Sequence, residues 1–182
     1  HNDWIKSIPY VLVDPNPGKA LKETYEKTVN FARQTGFILI NEQETVANSL
    51  EIKSSLSGSL LNQAIPAITL ELGEAYVVNE KNVEDGLKAI WNILASMNMT
   101  KPLHEELNYR PPVEFKGKIL KYSHHPTAST SGIIRFHIKP GQLIKKGDKI
   151  VALSGVPKFG YPDSIFVIDV GKEFEILTSD FI

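Results

Sequence analysis

The order of apolar and polar positions over about the first hundred residues follows one rhythm, a short apolar run, a polar turn, then a segment with helical spacing. The run "IPYVLV" (8–13) is closed by "DPNPG", whose prolines and glycine punctuate a turn, so it predicts a buried strand leading into a loop. In "KALKETYEKTVNFARQ", Leu21, Tyr25, Val29 and Ala32 recur at helical spacing with charge on the other face, and Gly36 is placed to stop the helix. "FILI" (37–40) is a second buried strand. Between Asn41 and Gln63 the pattern weakens, although Leu50, Leu56, Leu60 and Leu61 predict a loop entering a short helix at "SSLSGSLLNQ". "AITLEL" is the third strand. After it, "NVEDGLKAIWNILASM" places Val83, Leu87, Ile90, Leu94 and Met97 at alternating steps of four and three, with Asn82 as the expected N-cap and Asp85 near a capping-box position.

Three strands that read as continuous apolar runs, each followed by a helix, predict an α/β fold with a mostly parallel sheet covered by helices on both faces. That unit is expected to span residues 1–98. Its rhythm breaks at "MTKPLHEELNYRPPVEF", where three prolines and mixed charge mark a linker over 99–115. Beyond it, "GKILKY", "SGIIRFHI", "DKIVAL", "SIFVIDV" and "KEFEIL" are short strand candidates separated by Gly, Pro and Asp turns, which predict a small all-β module over 116–182. The tight turns at Pro140-Gly141 and Lys146-Gly147-Asp148 bracket its hydrophobic pair, Leu143 and Ile144.

Composition narrows the function. A chain of 182 residues, 42% of them hydrophobic, can bury a core without covalent staples. A formal net charge of −1 offers no basic excess for nucleic acid or an anionic membrane surface. No apolar segment approaches the roughly 20 residues that span a bilayer, and "HNDWIKSIPY" has neither the charged region nor the apolar core of a signal peptide. With no cysteine in the chain, a cytoplasmic location is the expectation, and thiolate metal sites and Cys nucleophiles are excluded. A start at His rather than Met points to a fragment of something longer or a tag remnant. Homo-oligomerisation is left open by composition.

The candidate chemistry centres on Glu71, a carboxylate set in the strand-forming stretch "IPAITLELGE" two positions before Gly73. An unpaired buried carboxylate costs several kcal/mol or shifts its pKa upward. Glu71 is therefore either a solvated residue at the rim of a sheet or a group kept for proton transfer at the carboxyl end of its strand, where open sheets bind ligands. The five histidines, His1, His104, His124, His125 and His137, form no H-E-x-x-H motif. His104 falls in the linker and His137 in a strand candidate. His124 and His125 are adjacent, so on an extended chain they point apart. Arg33, Arg110 and Arg135 are placed on a helix, the linker and the β-module, without the grouping of a carboxylate clamp. A phosphate-binding glycine loop and a serine nucleophile elbow are both missing from the sequence.

Two stretches in this order resemble one family. "IPAITLELGE" followed by a helix resembles the segment carrying the catalytic glutamate in the succinylglutamate desuccinylase/aspartoacylase family of deacylases, which share the zinc carboxypeptidase fold. "SGIIRFHIKPGQLIKKGDKIVAL" resembles the small barrel-sandwich β-domain that follows it there, itself similar to lipoyl and biotinyl domains. The resemblance covers nearly the whole chain and matches the C-terminal portion of a full-length member, so the α/β unit is expected to be incomplete. It implies a Zn2+ ion held by two histidines and a glutamate, a substrate that is a small N-acyl amino acid or related amine, and a separate glutamate that moves the proton, matched by Glu71. The H-x-x-E segment that carries two zinc ligands is missing from this sequence. His1 falls where the third ligand is expected, unless it is a tag remnant, and Tyr161 in "PKFGYPD" is a candidate substrate contact. Lys145 and Lys146 lack the motif of a modified carrier lysine. The competing expectation is a non-catalytic scaffold whose β-module docks a partner.

Overall fold

The computed structural model describes residues 7–15, 18–41, 55–121, 139–144, 149–154 and 164–169. The chain divides into two units, His1–Tyr122 and Ser123–Ile182.

The first unit is built on strand β1 (Pro9–Val13), helix α1 (Lys22–Gln34, entered through a single 3₁₀ turn at Lys19–Leu21) and strand β2 (Ile38–Asn41). Proline at the first position of β1 costs no ladder bond within the strand, and Val11 and Val13 are completely buried. β1 and β2 pair in parallel with Tyr10 opposite Ile38 and Val13 opposite Asn41. The connection through α1 is the crossover that a parallel pair requires. Thr28, Val29 and Ala32 form the buried side of α1, while Lys22–Glu26 and Glu23–Lys27 ion pairs lie on its exposed side. The helix ends where expected. The Thr35 hydroxyl donates to the Ala32 carbonyl at 2.6 Å and accepts from the Phe37 amide at 3.1 Å, and Gly36 turns the chain at φ +78°.

Helix α2 (Leu56–Asn62) is capped by Ser55, whose hydroxyl accepts from the Gly58 amide at 3.0 Å, and buries Leu61 while leaving Leu56 exposed. Strand β3 (Thr69–Leu72) then pairs antiparallel with β1, placing Leu72 opposite Pro9 and Thr69 opposite Leu12. Strand β4 (Ile119–Lys121) pairs parallel with β2. The sheet order is β3-β1-β2-β4, so the sheet is mixed, with an antiparallel strand at one edge. An apolar run such as "AITLEL" packs equally well in either direction, and the pairing partner settled the direction. The segment "GKILKY", expected as the first strand of the all-β module, pairs here with β2. Its Ile119 packs against the core of the first unit.

Helix α3 (Glu80–Ser96) differs from expectation in its cap and in its buried face. Its N-cap is Asn79, whose side chain accepts from the Lys81 amide at 3.1 Å. Asp85, Gly86 and Ala89 face inward. A Cβ at Gly86 would lie 2.7 Å from a Leu72 methyl, so glycine is what lets α3 approach β3. The stripe through Val83, Leu87, Ile90 and Met97 is exposed, Leu87 at 64%. The core holds Val11, Val13, Val29, Ala32, Phe37, Leu39 and Ala89, flanked by Ile68, Leu70, Leu72, Leu107 and Ile119.

The proline-containing stretch between α3 and β4 is an ordered strap. Asp85, 1% exposed, accepts from the Asn108 amide at 2.7 Å, the Asn108 side chain at 3.1 Å and the Tyr109 amide at 3.1 Å. Lys88 donates to the Glu106 carbonyl and Trp91 Nε1 to the Lys101 carbonyl. Leu107 fills the space beside Gly36, where a Cβ would meet its methyl at 2.9 Å.

In the second unit the described residues contain one antiparallel pair, β5 (Lys149–Ser154) with β6 (Ser164–Asp169), registered from Lys149 opposite Asp169 to Ser154 opposite Ser164. The predicted turn at Pro140-Gly141 is present, with Gly141 at φ +82° and the Gln142 amide donating to the Lys139 carbonyl at 3.1 Å. The remaining strand candidates, "SGIIRFHI" and "KEFEIL", lie outside the described residues. No helix among the described residues is long and apolar enough to cross a membrane.

Candidate functional site

Glu71 is the third residue of β3, half-buried and opposite Tyr10. Its neighbours Leu70 and Leu72 pack against the core, and strand alternation turns Glu71 to the other face of the sheet. Because β3 runs antiparallel to β1, its carboxyl end lies at the amino ends of β1 and β2. This corrects the simple picture of a ligand crevice at the shared carboxyl ends of parallel strands. Glu71 instead sits at the edge where the chain enters β1, and its register partner Tyr10 is nine positions after His1 in sequence.

Beyond Glu71 the chain turns at Gly73, with φ +99°, a conformation open mainly to glycine. Asn82 of α3 donates from its amide to Glu74 Oε2 at 2.9 Å. Asn82 and Asp85, expected at the helix cap, thus do other work, one at the turn after Glu71 and the other in the strap. The sequence carried only a weak signal for this, an additional asparagine at position 79, one turn earlier.

The other sequence candidates divide plainly. His1, Tyr161, His124, His125, His137 and Arg135 lie outside the described residues. His104 is exposed on the strap, Arg33 is exposed on α1, and Arg110 pairs with Glu106.

A second buried carboxylate, Asp14, follows β1 at the opposite end of that strand from Glu71's partner. It is 3% exposed. Burial pushes its carboxyl above the usual range, and a hydrogen bond with Ser57 works in the other direction. The zinc site that the resemblance implies needs at least three ligating side chains. Among the described residues no group of three or more His, Asp or Glu side chains could hold a metal ion. The implied ligand set does not fit within them.

A mixed four-stranded sheet with helices resembles the fold of desuccinylase/aspartoacylase-type deacylases. The chain superposes on a succinylglutamate desuccinylase/aspartoacylase from Rhodobacter sphaeroides with a TM-score of 0.56 at 16% identity, covering 86% of this chain and 45% of that one. The product-bound ectoine utilization protein EutE (DoeB) from Ruegeria pomeroyi gives a TM-score of 0.58 at 12% identity, covering 89% and 46%. A succinylglutamate desuccinylase from Silicibacter gives 0.54 at 13% identity, covering 89% and 46%. The chain therefore spans just under half the length of these solved structures, and at such identities the likeness is one of fold. No family model and no curated protein matches the sequence.

Proposed function

We propose that this chain serves in the hydrolysis of the amide bond of a small N-acyl amino acid or related N-acyl amine, with Glu71 as the general acid and base. The observation that carries the reading is the placement of Glu71, half-buried near the end of β3 in a fold shared with desuccinylases and an aspartoacylase-type protein. In this role the Glu71 carboxylate takes a proton from the attacking water as its oxygen bonds to the acyl carbon. It then returns that proton to the departing nitrogen as the C–N bond breaks, leaving a carboxylate and an amine. The half-buried setting, with Leu70 and Leu72 anchoring the strand, fixes the carboxylate more firmly than a loop would.

Zinc dependence belongs to the same proposal. Bound Zn2+ would supply polarisation of the amide carbonyl, but its ligands would have to come from outside the described residues, His1 being one candidate.

The test is Glu71→Gln in the enzyme that contains this chain, assayed on a panel of N-acyl amino acids with metal content measured in parallel. The expected result is a fall in kcat of about 10²–10⁴-fold, the usual worth of general acid–base catalysis, with metal content unchanged. Near-normal turnover would remove Glu71 from the mechanism.

A further inference from the structure

We infer that Asn82 is a positioning residue for Glu71, acting through the turn that follows it. This rests on the reading of Glu71 as the proton-transfer group.

The three residues after Glu71 are seated one after another on the first turns of α3. Leu72 packs onto Gly86, where a Cβ would lie 2.7 Å from a Leu72 methyl. Gly73 lies against the side chain of Asn82, and a Cβ there would land on the Asn82 amide. Glu74 accepts a hydrogen bond from Asn82 Nδ2 at 2.9 Å. Asn82 and Gly86 are four residues apart, so they stand on one face of the helix and form a continuous seat for the strand exit. Asn82 is available for this because Asn79 caps the helix in its place, leaving the Asn82 backbone amide to donate to the Asn79 carbonyl at 2.9 Å. The same turn includes Tyr76, a non-glycine residue at φ +65°. Such a backbone is costly for a non-glycine residue and persists only where its surroundings hold it. A carboxylate two residues away from a clamped glycine cannot swing with the loop. A loose turn would let it drift from the reacting water, and displacements of that kind are costly in rate.

The contact has a polarity that can be reversed, which provides the test. In Asn82→Ala, amide hydrogen exchange over residues 73–78 of this chain is expected to accelerate. In the active enzyme kcat should fall about tenfold while KM stays within about twofold, a loss of orientation rather than of binding. Asn82→Asp sets two carboxylates against each other and should do the same or worse. The double variant Glu74→Gln/Asn82→Asp restores the bond with the amide now on position 74, and should return both exchange and kcat to near the parent values.

Unchanged exchange and kcat in Asn82→Ala would overturn the inference. So would accelerated exchange with normal kcat, which would make Asn82 a local support only, or failure of the double variant to rescue. If Glu71→Gln itself turns over normally, the functional reading has failed, whereas a silent Asn82→Ala beside a disabling Glu71→Gln refutes only the positioning role.

Discussion

Two buried carboxylates of the first unit differ in how well they are served. Asp85 is surrounded by donors from Asn108 and Tyr109 and so ties the strap to α3, whereas Asp14 has the Ser57 hydroxyl and an Oδ1 atom that is buried with no hydrogen-bond partner among the described residues. An under-served buried carboxylate favours its neutral form. Its pKa is raised in the folded chain, so between the unfolded and folded values the folded chain holds more protons, and the stability this group contributes falls as pH rises through that window. Asp14→Asn is therefore expected to raise Tm at pH 7, with the gain shrinking as the pH is lowered toward 4. Thermal melts across that range check it, and a gain that grows toward acid would contradict the assigned cause. In the sequence Asp14 is part of a turn signal, "DPNPG", and nothing local marks it as buried. Its environment comes from α2, more than forty residues further on.

At the scale of elements, periodicity located α1, α3 and the first three strands, and Gly36 ended α1 as expected. What it could not show is which side of α3 the sheet would take. The four-and-three spacing of Val83, Leu87, Ile90, Leu94 and Met97 reads as a core-facing stripe, yet the sheet packs on Gly86 and Ala89 instead. Small residues allow a close helix-to-sheet approach, and the side chains of β3, Leu72 above all, fill the space they leave. Leu87→Glu should thus change the stability of this chain by no more than about 0.5 kcal/mol, as for an ordinary surface site. Ala89→Glu, at a position with no exposure, should cost several kcal/mol or prevent folding. Urea unfolding of the two variants distinguishes the faces, and the reverse ranking would put the stripe inside.

In the molecule as a whole, β4 is one of the two edge strands of the sheet among the described residues, paired with β2. A chain ending at Tyr122 should retain the sheet, while one ending at Phe115 strips β4 from β2 and leaves Ile119's place in the core vacant. The shorter chain is expected to be less stable by about 2 kcal/mol or more, the scale of losing one large buried aliphatic side chain, as read by urea midpoint. Equal midpoints would mean that β4 contributes nothing to the unit. Where the helices and strands of the first unit fall was legible in the chain alone, because side-chain period and turn residues are local properties. The sequence also singled out Glu71, a carboxylate in an otherwise apolar strand. That β3 runs back along β1, that β4 joins this sheet, and that Asn82 rests under the turn after Glu71 emerged only with the folded chain. Those outcomes depend on pairing and packing between segments far apart in the chain, and such contacts leave no periodic trace in either segment alone.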